Sequence, residues 1–127
     1  FCVFRREHPL ARARKQFNID SVLSYPHLIV SATGARTAIF DELLSRFNLR
    51  REPLVSVTNF TAVPELLSRS DMIGVFTELA SSAFERSVGL VKRPVPLDVG
   101  AITTSMVWHI RNERDSKHAW FRRQIGE

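Results

Sequence analysis

The chain has 127 residues, 44% of them hydrophobic and 24% charged, the balance of a single globular domain able to bury a core. No apolar run approaches the ~20 residues that cross a bilayer, and Arg5, Arg6, Glu7 and His8 interrupt the first ten residues, so neither a membrane span nor a signal peptide is expected. The net charge of +5 sits at the ends: residues 1–15 hold five basic residues against one acid, residues 109–127 hold five against three, and the stretch between is nearly neutral. That distribution reads as solvated basic ends, because a nucleic-acid surface strings its charge along one helix or groove.

Residues 2–4 form a short apolar run before the charged turn 5–8, and Pro9 biases His8 towards an extended conformation, so this segment reads as a strand or crossover. Residues 11–16 are polar and expected on the surface. Asn18 or Asp20 can cap a short helix over 21–24, which Pro26 stops. The first strong strand is 28–30, within the run HLIVSA. Residues 36–47 give the clearest helix, with Ile39, Leu43, Leu44 and Phe47 at helical spacing.

The second strand, 54–57, runs into Thr58 and Asn59. A helix follows over 60–69 with Val63, Leu66 and Leu67 inward, and Pro64 must lie in its first turn. Residues 72–76 form a third strand and 78–86 a short helix with Leu79, Ala83 and Phe84 buried. Gly89 breaks the chain before a strand over 90–95. Strands alternating with helices at this spacing imply parallel pairing and right-handed crossovers. Pro94, Pro96 and Gly100 then mark an extended crossover or hinge. Beyond it, 102–110 alternates as a strand, with Ile102, Thr104, Met106, Trp108 and Ile110 on one face. Asp115 or Ser116 can cap a last helix over 117–125.

The residue types that carry chemistry are scattered. His8, His27, His109 and His118 have no His or Cys partner at ligand spacing, so no metal is expected. The sequence lacks G-x-S-x-G, and Ser31 and Ser81 have no elbow around them. Cys2, the one cysteine, excludes an internal disulfide and fits a reducing compartment. The chain is therefore expected to be neither an enzyme nor a cofactor carrier. More informative are the small polar residues at which the first three strands stop. Ser31, Thr33 and Gly34 follow one, Thr58, Asn59 and Phe60 the next, and Phe76 and Thr77 close the third. Free backbone N–H groups point outward where parallel strands end, and ligands bind there.

Arg5-Arg6-Glu7-His8-Pro9-Leu10-Ala11 resembles the HPLA segment of LysR-type transcriptional regulators. The downstream order is similar throughout: PHLIVS, a Ser-x-Thr-Gly turn, VTNFTAVPELL, SDMIGVFTE, PVPLDVG and TSMVWHIRNERDSKHAWFRRQI. The resemblance implies an α/β fold, a parallel-sheet lobe like subdomain II of a type 2 periplasmic-binding-protein-like fold, plus the returning strand and last helix of subdomain I. Residues 1–96 would be subdomain II with its entering crossover strand. Residues 97–127 would be the hinge, return strand and C-terminal helix of an incomplete subdomain I.

The resemblance further implies a sensor that binds a small, anionic or aromatic effector in a cleft between subdomains. Thr58, Asn59, Phe60, Phe76 and Thr77 are the matching effector-binding positions, with Ser31, Thr33 and Gly34 secondary. Partners implied are the effector, a second copy of the chain, and DNA only through an N-terminal helix-turn-helix that this sequence lacks; the setting is cytoplasmic, away from membranes. A lobe of a solute-binding protein is the alternative.

Overall fold

The computed structural model describes residues 1–13, 16–87, 89–103 and 105–126. In chain order the elements are β1 (Cys2–Arg5), α1 (Pro9–Arg12), α2 (Ile19–Leu23), β2 (His27–Val30), α3 (Ile39–Ser45), β3 (Pro53–Val57), α4 (Val63–Ser68), β4 (Ile73–Val75), α5 (Glu78–Ser87), β5 (Leu90–Arg93) and α6 (Ser116–Gly126). The sheet runs β3-β2-β4-β1-β5. Strands β2, β3 and β4 are parallel, whereas β1 lies antiparallel to both β4 and β5. β5 therefore shares the direction of the parallel set, and only β1 opposes it.

Strand alternation divides the core between two faces. Val3, Leu28 and Leu90 point to the side covered by Val63, Leu67 and Phe84 of α4 and α5. Cys2, Phe4 and Ile73 point to the other, with Leu10 of α1 and Val22 of α2. Each such side chain, fully buried, contributes about 1.5–3 kcal/mol. The Asn18 side chain accepts from the Ser21 amide while Ser21 Oγ accepts from the Asn18 amide, which fixes the start of α2. α3 stops where Asn48 adopts φ 56° and the Leu49 amide donates to Leu44 O at 3.0 Å, a left-handed helix terminus.

Several expectations change. The segment 11–16 begins inside helix α1, which has His8 as N-cap: its Nδ1 accepts from the Leu10 amide. His8 is fully buried, stacked against Tyr25 at 4.5 Å and Phe4 at 4.9 Å. Residues 14 and 15 of that segment lie outside the described residues. α3 is shorter than 36–47, and Phe40 and Leu44 are its buried residues, while Ile39 and Phe47 are exposed. On α5 the buried face is Ser81 and Phe84; Leu79 and Ala83 are exposed. β5 stops at Arg93 because Pro94 cannot donate to a ladder.

The strand expected over 102–110 does not form among the described residues, and Thr104 lies outside them. Alternation alone makes no strand without a neighbour to pair with. Instead His109 caps a short 3-10 turn, Ile110–Asn112. α6 follows, with the Asp115 carboxylate accepting from the His118 amide at 2.8 Å, the cap expected for it. Trp108 donates to the Glu113 carboxylate, Arg122 lies over its ring at 4.4 Å, and His118 is half-buried beside Arg122.

Candidate functional site

β2, β3 and β4 end together at Val30, Val57 and Val75, with Val30 opposite Val57 and Leu28 opposite Gly74. The groups that follow these strands share one rim of the sheet, as their parallel pairing requires. β1 enters the same rim from the opposite direction, because Cys2 pairs with both Val75 and Arg93. Phe1 and Phe76 exchange backbone hydrogen bonds there: Phe1 N donates at 2.7 Å, and the Phe76 amide donates back at 2.9 Å.

Connectivity decides where this rim opens. The β2–α3–β3 connection moves to one side of the sheet, and β4–α5–β5 moves to the other. Right-handed crossovers in opposite directions put α3 and α5 on opposite faces, which leaves a crevice between the ends of β2 and β4. A cavity of about 340 Å³ lies at that point, walled by Val30 and Ser31, by Ile39, Phe40 and Leu43 of α3, and by Phe76 and Thr77. Val95, Val99 and Ile102, from the segment after β5, complete its lining. A second cavity of about 570 Å³ shares Phe76, Thr77 and those three residues and adds Glu78, Leu79, Leu97 and Asp98.

The structure brings together three of the eight residues singled out in the sequence. Ser31, Phe76 and Thr77 line the smaller cavity; Thr33, Gly34, Thr58, Asn59 and Phe60 line neither. β3 is an edge strand, one place beyond β2, so its end stands outside the crevice. Asn59 does not cap α4 either. Its Oδ1 accepts from the amide and hydroxyl of Thr61, while the N-cap is Ala62 with no side-chain bond. Gly34 occupies a turn with φ 73°, its amide donating to Ser31 O, and Thr33 Oγ1 lies 3.3 Å from Ser31 Oγ. Phe60 reaches the site only through Phe76, edge-on at 6.1 Å.

Phe76 is the hinge of this geometry. Its ring folds back over Gly74, where an added Cβ would come within 2.3 Å of it, and packs edge-on against Phe84 at 5.1 Å. Gly74 thus makes room for the aromatic wall, a role its place inside a strand could have signalled. Val95, Val99, Ile102 and the α3 wall carry no comparable signal in the sequence. Ile39 and Leu79 fit a core pattern by spacing, yet they are 58% and 84% exposed because they border the cavities.

The Phe1 amine, on the wall of both cavities, has its pKa lowered, burial being the largest cause; the other groups with displaced pKa values lie elsewhere. Burial pushes the Cys2 thiol up to about 12 and lowers His8. Burial, then the Arg51 guanidinium, hold His27 down to about 4 at the opposite end of β2. Asp41 is raised by burial but lowered more by its bonds from Arg51 and the Ala38 amide, for a net fall. The described residues contain no group of three His, Cys, Asp or Glu able to hold a metal. No helix among them is long and apolar enough to cross a membrane. The wall can enclose an apolar molecule and offer hydroxyl groups to it.

A family model described as the LysR substrate binding domain matches residues 1–127. The chain is 27% identical over 121 residues to the HTH-type transcriptional activator NahR of Pseudomonas putida, covering 95% of this chain and 40% of that protein. It is 27% identical over 126 residues to the HTH-type transcriptional activator NagR of a Ralstonia species, covering 99% and 41%. It thus spans about two-fifths of the length of these relatives. The regulatory domain of MexT, a transcriptional activator in Pseudomonas aeruginosa, has the same fold, with a TM-score of 0.75, 23% identity, and coverage of 98% of this chain and 58% of that one.

Proposed function

This chain belongs to the LysR substrate-binding domain family, and from that premise we propose that it senses a small anionic or aromatic effector in the crevice between β2 and β4. Phe76, Thr77 and Ser31 are the inner wall of this site. Thr58, Asn59, Phe60, Thr33 and Gly34 flank it on the same rim. Residues 1–96 act as one subdomain, and 97–127 as the hinge and the last helix of a second. The observation that carries this reading is the cavity at the one place where the sheet's connections diverge.

An effector with unequal affinity for two arrangements of the cleft shifts the population between them. In the whole regulator that shift would be transmitted to a helix-turn-helix on DNA, in a homo-oligomer within the cytoplasm. The names of the relatives, transcriptional activators rather than enzymes, support a binding role. Calorimetric titration with aromatic and carboxylate metabolites tests it. Saturable binding without turnover, weakened by Phe76→Ala and Thr77→Val, is expected. Binding untouched by both substitutions, or conversion of the ligand, overturns it.

A further inference from the structure

The crevice wall has a chemical bias that narrows the effector beyond the two classes above. Among the described residues lining the 340 Å³ cavity no side chain is charged, and the side-chain polar groups are the hydroxyls of Ser31, Thr37 and Thr77. The adjoining cavity adds two charged side chains, Glu78 and Asp98, both acidic. Lys92 stands 4.8 Å from the centre of the Phe1 ring, but Ser82 Oγ holds it at 2.7 Å and Glu78 at 3.8 Å.

The positive group at this wall, the Phe1 amine, already donates to the Phe76 carbonyl at 2.7 Å, and the helix ends add no free positive field. At the start of α3 the Asp41 carboxylate already accepts from the Ala38 amide, and α5 carries Glu78 in its first turn. A carboxylate entering here would lose water, find only hydroxyls among the side-chain donors of the smaller cavity, and lie near Asp98 and the Lys92-paired Glu78. A hydroxyl or carbonyl substituent finds its full complement in the same hydroxyls. The flat part of the molecule meets the rings of Phe40 and Phe76 and the branched chains of Ile39 and Leu43.

We propose that this wall selects an uncharged aromatic effector bearing a hydroxyl or carbonyl group and discriminates against carboxylates; the proposal rests on the effector-cleft reading above. Titration calorimetry of the protein at neutral pH with matched pairs tests it: phenol and benzoate, 2-naphthol and 2-naphthoate, indole and indole-2-carboxylate. The neutral aromatic should bind at least about tenfold more tightly than its carboxylate partner. Thr77→Val should weaken it, and the double substitution Glu78→Gln with Asp98→Asn should narrow the gap. A carboxylate that binds equally or better overturns this inference and leaves the cleft reading standing. A neutral preference that survives both Thr77→Val and Phe76→Ala puts the ligand elsewhere and overturns both readings. So does the absence of saturable binding by all six probes.

Discussion

Acid should destabilise this fold through His27, and removing that side chain should remove its share of the effect. His27 is fully buried at the start of β2. Its Nδ1 lies 3.0 Å from Tyr25 O, so Nδ1–H donates to that carbonyl and Nε2 is left without a hydrogen-bond partner among the described residues. Burial first, and the Arg51 guanidinium second, push its pKa from 6.5 to about 4. The unfolded chain therefore binds a proton that the folded chain refuses between those values. Stability is fully present above pH 6.5 and falls as the pH drops towards 4, with a total loss of about 3 kcal/mol. Burial lowers His8 as well and adds in the same direction. Urea unfolding followed by circular dichroism at pH 7.5, 6, 5 and 4.5 measures the slope, and His27→Leu isolates this residue's share. The difference in unfolding free energy between the two proteins should shift by about 2–3 kcal/mol in favour of the variant as the pH falls. A difference independent of pH, or a His27 imidazole resonance that titrates near 6.5 in the folded protein, refutes the argument.

Two further outcomes follow from single contacts. Arg51 is 1% exposed in its side chain, bonds Asp41 twice at 2.8 and 2.7 Å and lies 5.2 Å from the centre of the Phe40 ring. Asp41→Ala leaves that guanidinium buried without its partner and should cost about 3 kcal/mol, while Asp41→Ala combined with Arg51→Met should cost less than the two single changes added together; chemical unfolding of the wild type, the two singles and the double gives the coupling. Gly74→Ala places a methyl group against the Phe76 ring and should cost about 1–3 kcal/mol. Thermal unfolding should show partial rescue by Phe76→Leu, and a neutral Gly74→Ala would mean that the ring does not lie where the fold puts it.

Much of this architecture is legible in the residues because local rules and global packing agree. The runs around Leu28, Val55 and Ile73 are apolar and bounded by turn chemistry, so they become neighbouring parallel strands. Asn18 and Asp115 announce the starts of α2 and α6, and Pro64 falls in the first turn of α4. The misreadings of burial at Ile39 and Leu79 have one cause. Ile39 and Leu79 satisfy helical periodicity, which marks an apolar face but does not say whether anything covers it. They border cavities instead of core. Such local exceptions gather at functional sites.

The residues themselves determined which segments become strands, where several helices begin and that Ser31 and Thr77 fall at strand ends. Only the tertiary structure decided which strand ends meet. Order in the sheet is set by crossover direction, a property of distant pairing that no local pattern encodes. It placed Ser31 beside Phe76 and Thr77 and moved Thr58, Asn59 and Phe60 to the edge. It also left the described residues of 102–110 without a partner strand, because a backbone ladder needs two sides and alternation in one segment specifies only one.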